Sequence, residues 1–134
     1  MQFRRIEYAR LEARQKENYN CMKLFGALAD YGFVSMRLTD DSKGADLLAL
    51  HVNGEILKIQ LKPRLTVDKK YMNKAIWIAF REGEDWYLYD HDVVVEILLS
   101  SGRLAGTSSW DESDKYTFPH LSNSLRERLK LLKL

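Results

Sequence analysis

The sequence predicts an α/β protein of the α+β kind, a mixed central sheet of about five strands flanked by helices. Three observations carry this reading. A long run of helix formers opens the chain, five short apolar or alternating stretches follow between residues 33 and 89, and two helical patterns close it. One strand pair surrounds Asn53-Gly54, a dipeptide that favours a hairpin because both residues tolerate positive φ.

Residues 4–31 read as helix, with apolar positions at Ile6, Ala9 and Ala13, then Met22, Phe25, Leu28 and Ala29, and a break expected near Asn18–Asn20. Gly32 suits the stop, since it adopts positive φ after the last turn. Phe33, Val34, Met36 and Leu38 read as a strand, and residues 40–44 as a polar loop. Residues 45–52 and 55–62 are the hairpin strands, and Pro63 limits pairing beyond them. A polar connector leads to a buried strand at 75–80, a turn at 81–85 and a strand at 86–89. Asp92 is placed to cap a helix that runs to about Ser101 and ends at Gly102, although three successive valines there also suit a strand. Residues 103–120 read as irregular. Ser124 and Glu127 have capping-box spacing for a C-terminal helix over about 121–134. No repeat, low-complexity tract or linker divides the chain, so residues 1–134 are expected to form a single domain.

The 134 residues are 46% hydrophobic and 30% charged, which suits a soluble domain that buries a core without staples. No apolar run approaches the ~18 residues of a membrane span, and the N-terminus lacks a secretory apolar stretch. Cys21 has no disulfide partner, and with His51, His91 and His120 it lacks zinc-site spacing. A cytoplasmic location is the expectation. The net charge of +2 conceals a dipole: residues 58–74 hold six bases and one acid, residues 81–96 six acids and one base. The basic segment suits a phosphate backbone, with Arg64, Lys69, Lys70 and Tyr71 as the nucleic-acid contacts. Trp77, Trp86, Tyr87, Tyr89 and Cys21 are expected in the core, and Asp90-His91-Asp92 at a strand end and helix cap. No GxSxG, P-loop or GxGxxG pattern supports those chemistries.

Asp46, Gln60 and Lys62 carry the chemistry. Gln60 and Lys62 lie two apart on a strand and share a face, while Leu57, Ile59 and Leu61 anchor the other face in the core. A carboxylate, a side-chain carbonyl and an ammonium at the open end of one hairpin suit metal-assisted phosphodiester hydrolysis. Mg²⁺ prefers oxygen ligands and keeps several waters. Asp46 and Gln60 offer such oxygens, the cation lowers the pKa of bound water, and Lys62 steadies developing negative charge or orients the attacking water. Register decides whether the set assembles. A two-residue loop pairs Val52 with Glu55 and turns Asp46 away from Gln60. A three-residue loop pairs His51 with Glu55, sets Asp46 opposite Gln60 and puts Gly54 in the left-handed region. The second register, or a bulge that restores its parity, is the expectation.

A helix, a strand and then D…QxK on a hairpin resembles the PD-(D/E)xK, restriction-endonuclease-like superfamily. The resemblance spans about residues 10–90 and rests on Asp46, Gln60 and Lys62. It implies a restriction-endonuclease-like core and an endonuclease that cleaves DNA with Mg²⁺, or with Mn²⁺ in its place. It also implies that Glu17, in the preceding helix, joins Asp46 and Gln60 as a metal ligand and catalytic residue. Asp40 and Asp41 lie close by in the sequence and are alternative acids. Ala45 replaces the proline-like position, and Gln60 replaces Asp or Glu, which removes one negative charge from the metal site. Two other readings stay open. One is an inactive nuclease-fold module that binds nucleic acid. The other is an assembly protein that forms a homodimer through Leu121, Leu125, Leu129 and Leu132 of its last helix.

Overall fold

The computed structural model describes residues 1–42 and 44–134. The strands are β1 (Phe33–Ser42), β2 (Ala45–His51), β3 (Ile56–Leu61), β4 (Thr66–Asp68), β5 (Ile76–Glu82), β6 (Asp85–Asp90) and β7 (Lys115–Thr117). The helices are α1 (Ala13–Ala29), α2 (His91–Ser100), α3 (Ser108–Ser113) and α4 (Asn123–Leu129). Five strands form one mixed sheet in the order β1-β2-β3-β5-β6, in which only the β3–β5 pair is parallel. β4 and β7 form a separate antiparallel pair. The fold class expected from the sequence is the one observed.

Alternation along β5 explains how the sheet is covered. Ala79 and the half-buried Trp77 face α1, where Cys21, Leu24 and Leu28 are buried together with Leu47, Ala49 and Ile59. Ile76, Ile78 and Phe80 face the other way, onto Val94 and Leu98 of α2, Trp110 of α3, and Leu125 and Leu129 of α4. Leu24 and Leu28 are fully buried, and each such side chain contributes about 1.5–3 kcal/mol of hydrophobic stabilisation. Trp86, Tyr87, Tyr89 and Cys21 are core residues, as expected.

The β2–β3 hairpin closes as a three-residue loop. The His51 N–H donates to the Glu55 carbonyl at 2.8 Å and the Gly54 N–H to the His51 carbonyl at 2.9 Å. Gly54 sits at φ 96°, the left-handed conformation that the loop demands. Leu47 consequently lies opposite Ile59 and Leu50 opposite Ile56.

Several boundaries differ from the sequence reading. α1 begins at Ala13, because Glu12 and Gln15 form a capping box there; residues 8–10 are a 3-10 turn and the residues before them are not helical. α1 is unbroken at Asn18–Asn20. Asn18 accepts from Arg37 and Asn20 donates to the Tyr8 hydroxyl, so neither amide competes for helix backbone. β1 extends through residues 40–42, where a loop was expected; Lys43 and the side chain of Asp41 lie outside the described residues. The polar connector contains β4 and a 3-10 turn, and residues 103–120 contain α3 and β7, because β4 and β7 supply each other's ladder. Asp90, not Asp92, caps α2: its side chain accepts from the N–H groups of Asp92 and Val93. Ser122, not Ser124, caps α4, which is shorter than the predicted C-terminal helix. Leu121, Leu125 and Leu129 are buried in the chain's own core, with Leu132 packed against it. That stripe is therefore not an assembly surface. Among the described residues no helix is long and apolar enough to cross a membrane.

Two substitutions test this framework by equilibrium denaturation. Asp90→Ala removes both cap acceptances of α2 and should lower stability by about 1 kcal/mol. Gly54→Ala forces an L-residue to φ 96° and should cost about 1–2 kcal/mol, although its Cβ meets open space.

Candidate active site

The site forms where β2 and β3 leave their shared register. Leu47 opposite Ile59 is the outermost pair at that end, and Asp46 and Gln60 are the next residues on their two strands; beyond that pair β2 loses its alternation, since Leu47 is buried with α1 and Ala45 with the opposite core. On β3, Ile59 and Leu61 turn toward α1, so Gln60 and Lys62 share the opposite face. The Lys62 N–H donates to the Ala79 carbonyl at 2.8 Å, which holds the end of β3 against β5. Glu17 stands one helical turn before Cys21 on α1. Glu17, Cys21, Arg37, Asp46, Leu47 and Leu61 line a cleft of about 60 Å³. The structure thus brings Glu17 to Asp46, whereas Gln60 and Lys62, on the other face of β3 from Leu61, do not line this cleft.

Gln60 is 9% exposed, and its Oε1 is buried without a hydrogen-bond partner. An orphaned buried carbonyl costs about 1–3 kcal/mol, so it marks a position where another group can complete the structure. The donor chemistry, one carboxylate at Asp46 and one neutral oxygen at Gln60, is of the kind a hard divalent cation takes. Among the described residues no three His, Cys, Asp or Glu side chains gather as a metal cluster. Asp46 and Gln60 are the oxygen-bearing side chains next to the last hairpin pair, and Glu17 shares its cleft with Asp46. Glu17 accepts a close hydrogen bond from Arg37, which also donates to Asn18. Arg37 was not singled out in the sequence, where its only signal is one cation in an otherwise alternating strand.

Burial pushes the Lys62 ammonium below the usual lysine range, and Lys70 adds to the shift. Asp46 and Asp68 oppose it, while Lys115 of β7 acts with Lys70. Lys62 Nζ lies 5.5 Å from the centre of the Tyr71 ring. Burial raises the Cys21 thiol, so this cysteine is a core hydrophobe and not a nucleophile.

The expected nucleic-acid contacts divide. Arg64 is exposed. Lys69 Nζ is 3.3 Å from Asp114 and 5.0 Å from the Trp110 ring centre. Lys70 Nζ is 3.8 Å from Asp68 and 5.1 Å from the Tyr71 ring centre. Tyr71 is only 3% exposed and packs in the core, so it is a support for Lys62 and Lys70 and not a backbone contact. His91 is fully buried, its ring edge-on to Tyr71 at 5.6 Å. Its Nε2 accepts from the Asp68 N–H at 2.9 Å, so Nδ1 carries the proton and donates to Asp92 at 3.0 Å. Asp40 is exposed and does not line the cleft.

The fold is similar to that of a solved bacterial homing endonuclease, I-Ssp6803I, with a TM-score of 0.54, 14% identity, and coverage of 91% of this chain and 86% of that chain. No family model and no curated protein matches the sequence. The likeness is one of fold.

Titration of the lysine side chains by heteronuclear NMR should find Lys62 below the ordinary lysine range. Asp46→Asn should lower it further and Lys70→Met should raise it, since those two charges act in opposite directions. Because folded Lys62 releases its proton at lower pH than the unfolded chain does, stability should rise with pH between the two values, and Lys62→Met should flatten that slope.

Proposed function

We propose that the protein is a metal-dependent nuclease that hydrolyses DNA phosphodiester bonds with a PD-(D/E)xK-type site at the open end of the β2–β3 hairpin. The observation that carries the reading is the unpartnered buried Gln60 Oε1, which follows the last hairpin pair on β3 as Asp46 precedes it on β2, and which stands two residues before half-buried Lys62. Asp46 and Gln60 would hold Mg²⁺, with Mn²⁺ as its substitute. When bound, the cation supplies polarisation of the phosphate and acidification of a bound water. Lys62, supported by the Tyr71 ring, offers its ammonium to the negative charge that develops on the phosphate. Glu17 reaches the same cleft, and its transfer from Arg37 to the cation would free the guanidinium for a phosphate oxygen. Arg64, Lys69 and Lys70 lie on exposed ground beyond Lys62 and would follow the DNA backbone. The similarity in fold to a bacterial homing endonuclease supports this reading. A DNA-binding module without cleavage is the second reading, and the engagement of Glu17 by Arg37 favours it.

The test is cleavage of linear, supercoiled, branched and single-stranded DNA with Mg²⁺ or Mn²⁺. Lys62→Ala should lose about 100-fold or more in rate, the scale of one lost charge-stabilising donor. Gln60→Glu restores a negative charge and should tighten cation binding. Arg64→Ala should reduce the salt slope of DNA binding by about one unit. Equal cutting by wild type and Lys62→Ala, or no cutting by wild type while salt-sensitive binding persists, would remove the nuclease reading.

A further inference from the structure

A second cavity adjoins the cleft. It measures about 410 Å³, within the range of about 300–1,000 Å³ typical of small-molecule sites. Leu61 lines both spaces, and Lys62 lines the larger one. α1 faces both: Glu17 and Cys21 border the cleft, while Tyr19 and Asn20 border the cavity.

The cavity is walled by planar groups. The Tyr8 and Tyr19 ring centres are 5.3 Å apart, and the Arg81 guanidinium lies 6.0 Å from the ring centres of both Tyr19 and Trp86. Arg81 donates to the Gly83 carbonyl at 2.7 Å and lies 3.1 Å from the Glu84 carboxylate, contacts that hold the guanidinium near both rings. Asn20 donates to the Tyr8 hydroxyl at 2.8 Å, which steadies Tyr8 and sets an amide, both donor and acceptor, in the wall. Tyr8 is 41% exposed and Trp86 only 7%, so the aromatic wall runs from the rim to the floor. Lys16 and Lys23 lie 5.5 and 5.4 Å from the Tyr8 and Tyr19 ring centres and make the approach cationic.

Flat aromatic and guanidinium faces, an edge-reading amide and cations on the rim match one chemistry, a planar heteroaromatic base attached to a phosphate chain. A base stacked in a duplex cannot enter such a cavity; an unpaired one can. We propose that the cavity is a subsite for an unpaired nucleobase next to the scissile phosphate, so that the preferred substrate is DNA with an extrahelical or single-stranded nucleotide at the cut. This inference rests on the nuclease reading for its cleavage step and on the cavity alone for its binding step.

The experiment uses the full chain and duplexes carrying 2-aminopurine either in a single-nucleotide bulge or paired with thymine. Binding is followed by fluorescence with Ca²⁺ replacing Mg²⁺, and cleavage is then followed with Mg²⁺. Wild type should quench the bulged probe well beyond the paired one and cut beside the bulge about tenfold faster than in the intact duplex, a ratio in keeping with the stacking of one base. Tyr19→Leu should bring both ratios toward one. Should that variant not fold, the comparison of bulged and paired probes on wild type still decides. Quenching of the bulged probe without any cutting would sustain the subsite and remove the nuclease reading. Cutting of both duplexes at one rate without differential quenching, or a preference unchanged in Tyr19→Leu, would overturn the subsite and leave the nuclease reading standing. Binding to neither duplex would overturn both.

Discussion

The register of the β2–β3 hairpin is the constraint on which the rest of the molecule depends. The His51–Glu55 contact and the left-handed Gly54 close a three-residue loop, and that loop length determines which side chains face each other from Leu50–Ile56 to Leu47–Ile59. Packing holds the register as firmly as the turn does. Leu47, Ala49 and Ile59 are buried against Leu24 and Leu28 of α1. A one-residue slip of either strand would turn its apolar set away from that helix; in β3 it would bring Lys58, whose ammonium donates to the Lys74 carbonyl at 2.8 Å, toward the core instead. The hydrophobic free energy of the α1 face thus keeps Leu47 across from Ile59, the pair beside which Asp46 and Gln60 stand.

Lys62 depends on a second set of contacts, supplied by the segment between the parallel strands β3 and β5. Tyr71 lies beneath the ammonium, His91 packs edge-on to Tyr71, and neutral His91 accepts from the Asp68 backbone. Asp68 ends β4, whose pairing with β7 brings Lys115 into electrostatic range of Lys62. A crossover that reads as a polar connector is in fact a buried support. Its residues place cations and carboxylates around one lysine and leave that lysine half-buried, which costs the ammonium part of its hydration.

Local signals were readable in the sequence. Asn53-Gly54, the alternation of Leu57, Ile59 and Leu61, and the apolar runs in β5 and β6 each express a preference within a few residues, but the parity of the hairpin does not follow from them, because Leu47, Leu48 and Leu50 serve either register. Asp46, Gln60 and Lys62 could be singled out because all three fall on one hairpin. Non-local pairings were not readable. β4 and β7 are three residues each and some fifty positions apart, so neither shows a strand pattern until the other is present. The Glu17–Arg37 pair requires α1 to dock on β1. The cavity between Tyr19 and Trp86 requires α1 to meet β6. The leucine stripe of the last helix looks the same in sequence whether it packs on its own core or on a second copy; its burial shows the first. Tyr71 misled for a related reason, because an aromatic among lysines resembles a surface contact until its burial is known.

The central claim is that the orphaned Gln60 oxygen and the Asp46 carboxylate form one cation site at the end of the hairpin. Paramagnetic broadening of backbone amide signals during a Mn²⁺ titration tests it most directly, because it locates the ion without requiring catalysis. The account predicts early broadening at Asp46, Gln60 and Lys62, displaced by excess Mg²⁺ and strongly weakened in Gln60→Leu. Broadening centred instead on the acidic turn at Glu82–Asp85, or an unchanged response in Gln60→Leu, would contradict it.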